Sequence, residues 1–245
     1  CVRGAGLAID DIVLEQVASS YGVLTEDEKD LGVCLVDIGG GTTDIAVFVR
    51  GAIRHTAVIP IAGDQVTNDI AMALRTPTPA ADEIKVRYAC VVPQMVDPEQ
   101  TISVPGMGDR PARTLARQTL SAVVEPRYEE LFSIVQMELE RCGYADQLAA
   151  GVVMTGGSSK IEGAIPLAES IFHLPVRIGM PKSLKLGGTE ELLRNPIYAT
   201  GIGLLFYGMQ RTLASGQNTS ARAIRREDEG ASFIGKMKGW FASNF

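Results

Sequence analysis

An α/β fold carrying a small α+β insertion is what this sequence predicts, and three observations predict it. Two β-rich apolar runs, Cys34 to Val36 and Ile45 to Val49, flank Asp37-Ile-Gly-Gly-Gly-Thr-Thr-Asp44, which reads as strand, glycine turn, strand. A second buried strand, Gly151 to Met154, runs into Thr155-Gly156-Gly157. Helical apolar spacing recurs between these strands and after them. With 245 residues, 46% hydrophobic and 21% charged, the chain suits one large or two modest globular domains and is neither disordered nor fibrous.

Each element has its own signal. Gln65 to Arg75 carries helical apolar spacing, and Asp82 to Arg87 a mixed charged helical pattern. Four prolines and two short β-like runs, Cys90 to Val92 and Thr101 to Val104, mark Ala89 to Arg113 as an inserted small sheet. From Thr119 to Cys142 the residues Tyr128, Leu131, Val135, Leu139 and Cys142 fall three and four apart, the mark of an amphipathic helix that Pro126 kinks or restarts. Ile161 to Phe172 and Tyr198 to Met209 read as helices packed on a sheet. Thr212 to Ala231 turns to Ser, Gly, Gln, Asn, Thr and clustered charge, which is linker chemistry with a root-mean-square reach of roughly 25 Å.

Charge and cysteine usage exclude several classes. The net charge is −6, but from Arg211 onward six basic residues stand against three acidic ones, so a tail of +3 follows a body of −9. An acidic body lacks the basic surface that non-specific nucleic-acid binding needs, and no nucleic-acid partner is expected. No apolar run reaches the roughly 18 to 20 residues that span a bilayer. Cys1, Cys34, Cys90 and Cys142 are too far apart for metal-ligand pairs or a disulfide framework, which predicts a reduced, cytoplasmic setting. The chain opens on Cys1 and is expected to be a portion of a longer protein.

The chemistry concentrates in the glycine loops. Gly39, Gly40 and Gly41 with Thr42 and Thr43 leave backbone N–H groups unobstructed by side chains, so the loop can wrap a phosphate. Asp37, ending the first strand, faces the same space and is placed to hold magnesium through water. The alternative is a hairpin turn that uses glycine only for positive φ. Gly156, Gly157, Ser158 and Ile161 follow a strand and open a helix, a geometry that aims N–H groups at an anion or lays backbone against a base. His55 and His173 have no nucleophile pattern nearby, and the cysteines read as small core residues.

These residues resemble a known superfamily. Asp37 to Asp44 is similar to the second phosphate motif of actin, Hsp70 and the sugar kinases. Val153-Met-Thr-Gly-Gly157 with Ile161-Glu-Gly163 is similar to their adenosine motif, and Ala199-Thr-Gly-Ile-Gly203 and Leu14 to Ser19 to their two connecting helices. The resemblance implies an actin-like (ribonuclease H-like) ATPase fold that binds ATP and Mg2+. It implies that Glu15 orients the attacking water, although Gln16 stands where related proteins usually have proline. Asp82, Glu83 and Lys85 are similar to residues that touch ribose and adenine; otherwise they are a solvated helix face.

Within that superfamily, Val23 to Glu28, Leu31 to Ile38, Glu83 to Tyr88 and Glu125 to Tyr128 resemble the FtsA family of bacterial cell-division proteins over nearly the whole chain. The family's first phosphate loop and most of its extra subdomain are not in this sequence. The resemblance implies slow ATP turnover at most, self-association into actin-like filaments, other division proteins as partners, and a place on the cytoplasmic face of the inner membrane at the division septum. It also implies that the insertion receives the C-terminal peptide of the tubulin-like protein FtsZ, with Arg117 and Arg127 as contacts. The expected organisation is 1–31 as the end of a first lobe with a connecting helix and 32–75 as second-lobe core. The insertion is 76–145, further core 146–198, a second connecting helix 199–211, a linker 212–231 and a terminal helix 232–245.

That terminal helix places Phe233, Ile234, Met237, Trp240, Phe241 and Phe245 within an arc of about 140°, with Lys236 and Lys238 just outside its edges. Aromatic residues flanked by snorkelling lysines suit a helix lying in a lipid surface. A sugar- or acetate-kinase-type phosphotransferase, which shares both glycine loops, and a pilus-assembly ATP-binding adaptor of the same superfamily, which lacks the same combination of insertion and tail, remain the alternatives.

Overall fold

The computed structural model of the chain describes residues 1–183 and 190–216. Cys1 to Leu204 form one compact unit, and Leu205 begins a second. After an exposed start, α1 (Glu15–Val23) leads into α2 (Glu26–Leu31), which is begun by a capping box: the Thr25 hydroxyl accepts from the Glu28 amide while the Glu28 carboxylate accepts from Thr25 N–H at 2.8 Å. A meander follows, made of β1 (Val33–Ile38), β2 (Thr43–Val49) and β3 (Ala52–Ile59). Helices α3 (Gly63–Ala73) and α4 (Thr78–Tyr88) come next, then the hairpin β4 (Thr101–Val104) with β5 (Arg113–Ala116), and the long α5 (Arg117–Cys142). The chain returns through β6 (Val152–Thr155), α6 (Ala164–Phe172), β7 (Val176–Ile178), the short α7 (Glu190–Leu193) and α8 (Ala199–Gly216).

The main sheet has the order β3-β2-β1-β6-β7, antiparallel in the meander and parallel from β1 outward through β6 to β7. Every residue of β1 is buried, because both of its faces are covered. Alternation divides them. Cys34, Val36 and Ile38 face a large core with residues of α3, α5 and α6, whereas Val33 and Leu35 face a smaller one with Val23, Leu24 and Ala199. Asp37 continues the second series, which aims its carboxylate at α1 and α8.

Several sequence expectations are corrected here. Cys90 to Val92 is not a strand: Cys90 makes only an isolated bridge to Glu162, and Pro93, which has no amide donor, turns the chain into a 3₁₀ turn. The partner of Thr101 to Val104 is instead Arg113 to Ala116. Proline 126 neither breaks nor restarts α5, whose buried Leu120, Val124, Tyr128, Leu131, Val135 and Leu139 hold it as one 26-residue helix. The loop after β6 opens a 3₁₀ turn, Gly157–Lys160, and the α-helix begins only at Ala164. Helix α8 continues to Gly216, past residue 212 where the linker was expected to begin. The rest of that linker and the terminal helix, with Phe233, Ile234, Lys236, Met237, Lys238, Trp240, Phe241 and Phe245, lie outside the described residues.

Helices α1 and α8 meet backbone to backbone. A Cβ on Gly22 would sit 2.6 Å from the carbonyl oxygen of Ala199, and one on Gly203 would run into the carbonyl of Ala18. Gly203→Ala is therefore expected to lower unfolding free energy in urea by about 3 kcal/mol. Gly201→Ala, where a Cβ meets nothing within 4 Å, is expected to raise it by about 0.5 to 1 kcal/mol through helix propensity.

Candidate functional site

Parallel pairing of β1 with β6 sets Asp37 opposite Thr155, so both glycine loops leave the sheet at the same edge. They touch there. The Ser158 hydroxyl donates to the Gly39 carbonyl at 2.8 Å, Gly63 N–H donates to the same carbonyl at 3.2 Å, and Asp64 N–H donates to the Gly40 carbonyl at 2.7 Å. Tyr128 of α5 braces the second loop by donating to the Ser158 carbonyl at 2.7 Å. Between the loops opens a cleft of about 730 Å³.

Of the residues the sequence singled out, Glu15, Asp37, Gly39, Gly40, Asp82, Lys85, Gly156, Gly157, Ser158 and Ile161 line this cleft. Gly41, Thr42 and Glu83 do not: Thr42 turns its hydroxyl to Asp44 at 3.1 Å, and Glu83 is exposed on α4. Lys85 lines the wall, but its ammonium is already held by Asp82 at 2.8 Å, Thr67 at 2.7 Å and the Gly63 carbonyl at 3.1 Å. Arg117 also lines it, donating to the Tyr88 carbonyl at 2.7 Å and to Gln100 at 3.0 Å and pairing with Glu162. Arg127 lies outside the cleft and grips Asp69 with two bonds, at 2.7 and 3.0 Å. His55 is tied to Glu138 at 2.6 Å, linking β3 to α5.

None of Gly39, Gly40 and Gly41 has a positive φ. The hairpin turn therefore does not demand glycine on that ground. A Cβ on Gly41 meets nothing within 4 Å, and the amides of Gly40 and Gly41 donate to no backbone carbonyl among the described residues. Such a loop offers free donors in open space, as an anion cradle requires. Gly156 is different: at φ 84° and ψ 164° it occupies backbone that only glycine adopts freely, and a Cβ there would come within 2.5 Å of Asp37 Oδ1.

The sequence did not single out several lining residues: among them, Asp64 stands beside Gly40 at the start of α3, Thr200 enters from α8, and Lys160 and Asn195 add polar groups to the wall. The Ala62-Gly63-Asp64 step was the available signal for the first: a glycine whose Cβ would collide with the Ser158 hydroxyl announces close approach.

Asp37 is the charged centre. It is 5% exposed, and Ser19 donates to its Oδ2 at 2.5 Å. Burial pushes its pKa up to about 6; the Ser19 hydroxyl pulls it back, Glu15 and Asp44 push it further up, and Thr200 pulls it back. Among the described residues no three His, Cys, Asp or Glu side chains gather as a metal cage. Magnesium bound with a nucleotide requires none, since it keeps waters and takes phosphate oxygens.

The chain has counterparts among known proteins. The model of the family described as cell division protein FtsA matches residues 34–203. The chain belongs to the FtsA family. It is 60% identical over 246 residues to cell division protein FtsA of Pseudomonas aeruginosa and 45% identical over 252 residues to that of Escherichia coli K12, all of this chain being matched in both comparisons. The chain spans 58% and 59% of the length of those two curated relatives. MreB5 of Spiroplasma citri, in a crystal structure with ADP, superposes with a TM-score of 0.71 at 19% identity, covering 89% of this chain and 65% of the other. That likeness establishes the actin-like fold for this FtsA-family chain.

The raised pKa of Asp37 sets a pH dependence whose sign can be worked out. Protonation is favoured in the fold, so Asp37 favours folding below its ordinary value of 3.8, and that contribution is lost as pH rises through about 6. Above pH 6 the buried charge costs about 3 kcal/mol. Asp37→Asn is expected to stabilise the protein at pH 7.5 by about 1 to 3 kcal/mol and to lose most of that gain at pH 4.5, measured by urea unfolding.

Proposed function

We propose that this chain is part of an actin-like ATP-binding division protein that tethers FtsZ filaments to the cytoplasmic face of the inner membrane and helps assemble the division ring. One observation carries the nucleotide reading: two glycine loops, far apart in sequence, face one another across a single cleft and are joined by the Ser158–Gly39 hydrogen bond. Gly40, which lines the cleft, presents a free amide to phosphates, and Gly156 and Gly157 offer a flat backbone to an adenosine. Asp82 contributes through Lys85, whose held ammonium buttresses the Gly63 carbonyl beside the phosphate loop. Magnesium, when bound, neutralises phosphate charge. Asp37 orients its water shell, and Glu15, exposed at the first turn of α1, polarises the water that attacks. Turnover is slow, since nucleotide binding serves assembly into actin-like filaments.

The domain plan given by the sequence belongs to this proposal, with 1–31 and 199–211 as connections to a first lobe and 76–145 as the insertion. FtsZ's C-terminal peptide, with its acidic character, is read by that insertion. Arg117 and Arg127 are the proposed contacts, each giving up part of its internal pairing with Glu162 and Asp69 to do so. Lipid is met by the terminal apolar arc of Phe233, Ile234, Met237, Trp240, Phe241 and Phe245 with Lys236 and Lys238 at its margins. Other division proteins gather at the septum around the resulting assembly.

Two measurements test this. Titration of the whole protein carrying this chain with ATP and magnesium is expected to show saturable binding, and Gly40→Val, which fills the cradle, to weaken it at least about tenfold; equal affinity of both would remove the nucleotide site. In liposome flotation, Trp240→Glu is expected to move most of the protein from the floating to the soluble fraction.

A further inference from the structure

Three hydroxyl and carboxylate groups from separate elements meet at the back of the cleft. Ser19 lies on α1, Thr200 on α8 and Asp37 at the end of β1. The Ser19 hydroxyl donates to Asp37 Oδ2 at 2.5 Å, and its oxygen lies 2.9 Å from Thr200 Oγ1. A serine hydroxyl has one proton. With that proton on Asp37, Thr200 is the donor in its bond to Ser19, and the Thr200 hydroxyl also acts on Asp37 directly, so both hydroxyls direct their protons toward the Asp37 carboxylate. Asp37 Oδ1 is fixed on its other side, against the side-chain-free Cα of Gly156. Ser19 is fully buried, and Thr200 lines the cleft.

The same two helices that supply Thr200 and Ser19 cross with their backbones in contact at Gly22 and Gly203. Residues 18 to 22 of one and 199 to 203 of the other therefore contain both the crossing point and the first two members of the relay. A change in the crossing of these helices would act directly on the 2.9 Å separation of Ser19 and Thr200.

We propose that Ser19 and Thr200 are positioning residues that lock the Asp37 carboxylate for the water shell of nucleotide-bound magnesium, so that the crossing of α1 and α8 and the magnesium-dependent part of ATP binding are coupled through this relay. Neither hydroxyl touches the nucleotide. They act through Asp37, and the inference rests on the nucleotide reading above.

The test compares ATP affinity in magnesium with ATP affinity in EDTA, measured by calorimetry on the whole protein that carries this chain. The ratio of the two is expected to fall about tenfold for Ser19→Ala and for Thr200→Ala, with affinity in EDTA unchanged. Thr200→Ser, which keeps the donor, restores it. A ratio equal to wild type in the single variants, or a loss shared equally by both conditions, overturns the proposal. Should Ser19→Ala fail to fold, Thr200→Ala against Thr200→Ser decides it. A wild-type protein that binds no ATP in either condition overturns the nucleotide reading, and the relay with it; a wild type that binds with a magnesium dependence the variants do not alter overturns the relay alone.

Discussion

Parallel pairing of β1 with β6 is the constraint on which the rest of the structure depends. Its register sets Cys34 against Val152 and Asp37 against Thr155, and so brings the ends of two distant strands to one edge of the sheet. Ligands of open α/β sheets bind beyond such strand ends, where the backbone leaves the ladder and its polar groups are free. Here both exits are glycine loops. Everything that gives the cleft its character follows from that edge: the Ser158 bond to Gly39, the brace from Tyr128, and the start of α3 laid against Gly39 and Gly40.

The placement of a carboxylate at that edge works against stability. Asp37 is buried beside Glu15 and Asp44, and two hydroxyls only partly offset the desolvation. Alternation along β1 leaves no choice, since the residue after Val33 and Leu35 on that face must point toward α1 and α8. A strand that needed only to pack would carry valine there. Retaining an acid at such a position fits a fold that stores unfavourable electrostatics where it handles charge.

Much of this was legible in the sequence. The hairpin of β1 and β2, the α3 and α5 helices, and the glycine loops are strong local signals, because apolar periodicity and glycine clusters are local properties. What escaped was either polar or non-local. Strand β3 carries Arg54, His55 and Thr56 at the edge of the sheet, where half-exposed residues need not alternate cleanly, and β5 reads Arg-Thr-Leu-Ala with scarcely a buried position. The internal pairing of Arg117 escaped because its partners, the Tyr88 carbonyl, Gln100 and Glu162, come from three separate segments. Lys85 and Asp82 line the cleft, but no spacing rule reveals that Thr67 and the Gly63 carbonyl already hold the ammonium.

The long excursion between the two glycine loops has one more implication. Because β1 and β6 are joined by ladder bonds in the sheet, the loops stay in register provided the start of α3 still holds Gly39 and Gly40 and Tyr128 of α5 still reaches the second loop. Closing a longer connection costs little, about 0.6 kcal/mol for each doubling of length. Between the two cleft-facing edges, then, the parts of the excursion that stand away from α3, α4 and Tyr128, such as the hairpin of β4 and β5, can change in length or sequence without disturbing the cleft.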